Sequence, residues 1–178
     1  MDDTLSDRRE ALSARADSPD GRISAEIRGR SDLRIRFRAS AYAAYSDREL
    51  AAQLGRLGTT VWARYHRDYT ELTRSYLGEP APDRAAADGD FLDRAEHLTV
   101  TGRSPHGWVA VSSRALARWE VSVADGAVST LPEDTFLSEL LAAVTAALQE
   151  YQDRLILLTA ATYDVGAPGR STVKGEPR

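Results

Sequence analysis

The sequence predicts an α+β fold of two tandem β-β-β-α units, arranged with pseudo-two-fold symmetry inside one chain. Three observations point there. Residues 104 to 164 overlay residues 18 to 78 without a gap, 86 positions apart, with identities at Ser18, Pro19, Gly21, Arg28, Leu54, Tyr65, Leu72 and Thr73. The apolar positions agree more widely than the identities: Ile23 matches Val109, Ala25 Val111, Leu33 Trp119, Ile35 Val121 and Phe37 Val123. In each copy an alternating pattern gives way to steps of three and four, the change of period that separates strand from helix. Two copies of one fold keep pattern longer than identity, and a duplicated unit is expected to pair with its twin as a dimer does.

Each copy opens with two alternating segments around a Ser-Pro-x-Gly turn: Leu12 to Asp17 with Arg22 to Arg28, and Leu98 to Arg103 with Trp108 to Arg114. Proline presets φ at the second turn position and glycine tolerates positive φ, so both read as hairpins. A third strand follows. Leu33, Ile35 and Phe37 alternate with Arg34, Arg36 and Arg38, and in the second copy Trp119, Val121 and Val123 alternate with Arg118, Glu120 and Ser122. Ser46-Asp47-Arg48-Glu49 forms a capping box that starts a long helix, and Thr130-Leu131-Pro132-Glu133 offers a similar start with proline in the first turn. From Leu50 to Tyr76 and from Phe136 to Leu158, apolar residues then recur on one helical stripe.

Gly78-Glu79-Pro80-Ala81-Pro82-Asp83 stops the first helix. The expected organisation is a first repeat over 1–78, a linker with a short helix (Ala85 to Glu96) over 79–95, a second repeat over 96–164 and a disordered tail over 165–178. Thr4 to Glu10 is the shorter counterpart of that linker helix.

A length of 178 residues, 42% of them apolar, suffices for a packed core. With no cysteine there are no disulfides, thiolate metal sites or cysteine nucleophiles, and a reducing cytoplasm is the expected compartment. Met1 to Glu10 lacks an apolar signal core and no uncharged run reaches membrane-spanning length, so no membrane association is expected. Net charge is −4, but residues 22 to 74 hold eleven Arg and six acids while residues 103 to 164 hold four Arg and eight acids. Such opposite fields are expected to draw the halves together and to leave only the first able to attract a polyanion.

The segments "LSARADSPDGRISAEIRGRSDLRIRFRASAYAAYSDRELAAQL" and "LTVTGRSPHGWVAVSSRALARWEVSVADG" resemble the YbaB/EbfC family of small nucleoid-associated proteins. The resemblance implies a YbaB-like intramolecular dimer, nucleoid localisation in the cytoplasm, and binding to double-stranded DNA with little sequence preference.

Arg22, Arg28, Arg30, Arg34, Arg36 and Arg38 are the candidate DNA-binding residues, because several forked guanidinium donors on one sheet face make a strip suited to phosphate. The competing reading is a solvated sheet face with Arg28 and Arg36 interleaved with Glu26 and Asp32. Trp62, Tyr65 and Tyr69 lie on the helical stripe while Arg64, Arg67 and Arg74 lie off it, so the aromatics are expected to pack. Together with Trp108 they are the candidate partner interface of a second function, a non-enzymatic protein-interaction module or adaptor, secretion-associated in one form, that has lost DNA binding. His66, His97 and His106 lack the spacing of zinc ligands. No phosphate loop, nucleophile elbow or His-Glu-x-x-His helix occurs, so neither enzyme chemistry nor a cofactor is expected, and the chain is expected as a monomer or a homodimer.

Overall fold

The computed structural model describes residues 5–29, 32–77 and 85–163. Arg30, the whole 78–83 stop segment and the expected tail lie outside the described residues. A short helix α1 (Leu5–Ala11) leads into β1 (Ser13–Asp17), β2 (Ile23–Arg28) and β3 (Asp32–Phe37), then a 3-10 turn at Tyr42–Ala44 and the long helix α2 (Asp47–Leu77). The second half repeats the order: α3 (Ala85–Ala95), β4 (Thr99–Arg103), β5 (Val109–Arg114), β6 (Arg118–Val123), a short α4 (Ala127–Thr130) and α5 (Glu133–Tyr163). The chain is thus a mixed α+β fold with two similar β-β-β-α regions. Its two antiparallel sheets run in the orders β1-β2-β3 and β4-β5-β6.

The 86-residue offset carries over to every strand and to both long helices. It extends to the hydrogen bonds of the turns. Ser18 N–H donates to the Ile23 carbonyl at 2.8 Å and Ser104 N–H to that of Val109 at 2.9 Å. Each serine hydroxyl accepts in return, from Ile23 N–H at 2.9 Å and from Val109 N–H at 3.0 Å. Gly21 and Gly107 take φ of +70° and +74°, which glycine adopts without penalty.

The capping box forms: Glu49 N–H donates to the Ser46 hydroxyl at 3.3 Å, and Ser46 N–H donates to the Glu49 carboxylate at 3.0 Å. The start of α5 differs from expectation. Residues up to Thr130 close a separate short helix, and Pro132 precedes α5, its carbonyl accepting from Phe136 N–H at 3.0 Å. Proline fits there because the position needs no helical donor.

Inward-facing Ala16, Ile23, Ala25 and Ile27 meet Leu50, Leu54, Leu57 and Val61 of α2, all buried. In the second half Val100, Val109 and Val111 meet Phe136, Leu140, Ala143 and Ala147 of α5. The two sets merge into one core.

The halves differ in how closely their helices approach the strands. On β4, a Cβ at Gly102 would fall 1.9 Å from the Ala143 carbonyl oxygen and 2.6 Å from Ala147 N, so α5 lies directly on that strand. The first half has Ala16, Leu57 and Val61 at the equivalent positions, and these larger groups hold α2 further from β1. Helix α2 instead lies along β6: Cβ atoms at Gly55 and Gly58 would fall 3.2 Å from the Trp119 carbonyl oxygen and 3.3 Å from the Trp119 side chain. The equivalents on α5 are Leu141 and Val144, and among the described residues no helix lies along β3 as α2 does along β6. A narrow apolar cleft of about 60 Å³ remains, lined by Leu33, Ile35, Trp62, Val144 and Leu148 among others.

Replacing Gly102 by Ala forces a methyl group into the α5 backbone and is expected to lower stability by about 3 kcal/mol, whereas Gly89→Ala, where the space is open and φ is ordinary, leaves stability within about 0.5 kcal/mol or raises it. Urea unfolding of the two variants checks the difference.

Candidate functional site

Strand register decides which arginines share a face. In sheet 1, Ser24 pairs with Arg36, Glu26 with Arg34 and Arg28 with Asp32, while Arg15 sits opposite Glu26 on the other side. Arg38 N–H donates to the Arg22 carbonyl at 2.8 Å, which sets that pair across the same ladder. Because side chains alternate, Arg15, Arg22, Arg28, Arg34, Arg36 and Arg38 all project from the face opposite α2, and all six residues are exposed. Five of them were candidates from the sequence; Arg15 was not, because a lone arginine in a short segment carries no periodic signal.

Three carboxylates, Asp17, Glu26 and Asp32, share that face. Arg28 pairs with Glu26 at 2.8 Å, and Arg34 grips both oxygens of Asp32 at 3.2 and 2.8 Å. The Asp32 hydrogen bonds raise the Arg34 pKa further, so its charge is secure. Arg28, Arg34 and Asp32 are exposed and Glu26 is half-buried, and pairs so open to solvent contribute little and exchange readily for another anion. Arg36 and Arg38 make no ion pair with a described residue.

Sheet 2 places Arg103, Arg114 and Arg118 on its outer face beside Glu120. Its acids lie mainly on α5, at Glu133, Asp134, Glu139, Glu150 and Asp153. No ion pair among the described residues joins the halves. Directed polar bonds do join them. Asp47 accepts from Gly126 N–H at 2.7 Å and from Val128 N–H at 2.8 Å, and Thr59 Oγ1 accepts from Trp119 N–H at 3.0 Å. Phe37, Tyr42 and Phe136 cluster beside Asp47's helix start, with Tyr42 5.3 Å from each of the other two rings.

Of the aromatic candidates, Trp62, Tyr65 and Tyr69 stand together and are half-buried. Trp62 lies 5.9 Å from Trp119 and 5.7 Å from Tyr65, and Tyr65 stacks on Tyr69 at 6.4 Å. Arg9 sits 4.8 Å above the Tyr69 ring. Trp108 lies apart, in a groove with His106, Leu131 and Ser138.

That groove holds a pair the sequence reading missed. His106 Nδ1 is 2.6 Å from Oε1 of the buried Glu139. Hydrogen bonds from the Ser104 hydroxyl, then from His106, hold the Glu139 carboxyl below its ordinary range against the opposing effect of burial. In the first half the acid stands on the turn instead. Asp20 accepts from Ser18 at 2.6 Å and from Tyr45 at 2.6 Å. Burial works to raise its pKa, but these bonds prevail and lower it, while burial and Asp20 together push Tyr45 up to about 12. Spacing could not show either pair, since each joins a turn to a residue 25 or 33 positions away.

Among the described residues no cluster of His, Asp and Glu is suited to a metal ion, and no helix is long and apolar enough to cross a membrane. No protein-family model matches this chain, and no curated protein matches it either.

Asp47→Ala removes two charge-assisted bonds between the halves and is expected to lower stability by about 2 kcal/mol, read by urea unfolding. Glu139 titrates below its unfolded value, so its stabilisation is present above the usual carboxylate range and is lost as pH falls through the lowered folded value. Thermal unfolding from about pH 6 to about pH 3 is expected to show a shallower acid decline for Glu139→Gln than for the natural sequence.

Proposed function

We propose that this chain is a DNA-binding protein of the YbaB/EbfC nucleoid-associated type, in which two fused units stand in for a homodimer. The observation that carries this reading is the common outward face of Arg15, Arg22, Arg28, Arg34, Arg36 and Arg38, all exposed and outnumbering the carboxylates two to one.

A duplex offers phosphate oxygens in rows, and guanidinium forks on neighbouring strands about 5 Å apart can take several at once. Arg36 and Arg38 are available without breaking an ion pair to a described residue, and the exposed Arg28 and Arg34 can exchange a carboxylate for phosphate. Contacts from guanidinium groups to phosphate position a protein on DNA without selecting sequence. The overall charge of −4 does not weigh against this, because residues 79–96 and 103–164 each carry a net −4 against +5 over residues 22–74, and the field near sheet 1 is set by charges within a Debye length of about 8–10 Å.

Gel shift with an arbitrary duplex is expected to show micromolar binding at low ionic strength. Affinity is expected to fall roughly 10²–10³-fold between about 50 and 200 mM salt, as about five released counterions require. Arg36→Ala with Arg38→Ala should reduce the salt slope by about 2 and weaken all sequences alike. Absence of any shift at micromolar protein in low salt would reject the reading.

A further inference from the structure

Sheet 1 ends on an edge, β3, that no described strand or helix covers. In an antiparallel ladder, residues alternate between pairs that exchange hydrogen bonds and pairs whose N–H and C=O point the other way. The bond from Arg38 N–H to Arg22 sets the phase: residues 38, 36, 34 and 32 bond to β2, so Leu33, Ile35 and Phe37 turn their backbone groups outward. The same phase holds in sheet 2, where Ala124 N–H donates to Trp108 and Trp119 N–H points out. There α2 covers the edge, with Thr59 Oγ1 accepting from Trp119. At Leu33, Ile35 and Phe37 no described residue accepts the outward N–H.

An uncovered edge is a template for another strand. The flanking side chains state which strand fits. Above the edge stand Arg34, Arg36 and Arg38, the last two without an ion pair among the described residues. Below it, Leu33 and Ile35 border the apolar cleft shared with Trp62, Val144 and Leu148. A second copy of β3 is a poor occupant, since antiparallel pairing would bring two sets of arginines onto one face about 5 Å apart.

We propose that β3 is a docking edge for an extended segment of another protein in which acidic and apolar residues alternate. The segment adds as a fourth antiparallel strand, its acidic side chains over Arg34, Arg36 and Arg38 and its apolar ones toward the cleft. This mode of recognition takes affinity from main-chain bonds and selectivity from alternate side chains. It goes beyond the DNA reading, although a docked acidic strand would occupy the same arginines and displace a duplex.

The probe is a capped, fluorescein-labelled peptide of alternating Glu and Val, seven residues long, titrated with the full chain and read by fluorescence polarisation. A Kd on the order of 10–100 µM is expected. In antiparallel addition the valines face Leu33, Ile35 and Phe37 and exchange the bonds, whereas glutamate N–H groups point away. N-methylation of the three valines is therefore expected to abolish binding, and N-methylation of the glutamates to leave it within about twofold. Arg36→Glu with Arg38→Glu should weaken binding by at least about tenfold, and hydrogen exchange at Leu33 and Ile35 should slow when peptide is bound. No binding at millimolar peptide, equal loss from both methylation patterns, or self-association of the chain through this edge would each overturn the proposal. None of these measurements uses nucleic acid, so this test and the gel shift can fail independently.

Discussion

The distance between a helix and a neighbouring strand depends on the side chains between them, and in this chain that distance is set differently in the two halves. Gly55 and Gly58 let α2 reach the Trp119 backbone, near enough for Thr59 to accept its N–H. That contact brings Trp62 onto Trp119 and fixes where the first half meets the second. Asp47 secures the other end of the seam by holding two N–H groups at the start of α4. Neither interaction needs a net charge on either half. The excess charges of the halves lie on exposed surfaces, where water and salt screen them, so they contribute to encounters with other molecules more than to internal packing.

The turns show how one backbone arrangement tolerates different polar chemistry. Ser18 and Ser104 make the same two backbone bonds, which fixes the path of each hairpin. Around them the carboxylate has changed position. It stands on the turn as Asp20 in the first half, and on the helix as Glu139 in the second, where the turn carries His106. Gln53 occupies the place equivalent to Glu139, and a second carboxylate there would repel Asp20 across a partly desolvated gap. The Gln53 Oε1 atom is buried without a partner among the described residues.

Repetition of pattern was legible in the sequence to the residue: β1 to β3 and α2 recur as β4 to β6 and α5 at one fixed offset. Period-two and period-3.6 signals come from burial on one face, and both halves bury the same face. The outward arginines were legible for the same reason, since alternation alone assigns Arg34, Arg36 and Arg38 to the face away from Leu33 and Ile35. What lay hidden depends on proximity between distant positions. Gly55, Gly58 and Gly102 look like weak points in regular elements until the backbone that each one meets is known. Asp47 reads from the sequence only as part of the capping-box segment that starts α2, and its bonds to residues 79 and 81 positions away have no local trace. The separate helix α4 was missed because four residues are too few to show a period.

Two units within one chain can diverge in a way that two identical chains cannot. In a symmetric pair of separate chains, a glycine that admits a helix to one edge strand admits it to both, and the two edges are alike. Here Gly55 and Gly58 stand opposite β6 alone, while Leu141 and Val144 hold the equivalent place toward β3. One edge is therefore sealed by a helix and the other is left with outward backbone groups. An open edge is a hazard unless something discourages promiscuous pairing, and arginine on every second residue does that through charge. The same arginines form the outward face of the sheet, so protection of the edge and attraction for anions rest on one set of side chains. A substitution that removed Arg36 and Arg38 would weaken both at once, which couples any loss of anion binding to greater exposure of β3 to unspecific strand pairing.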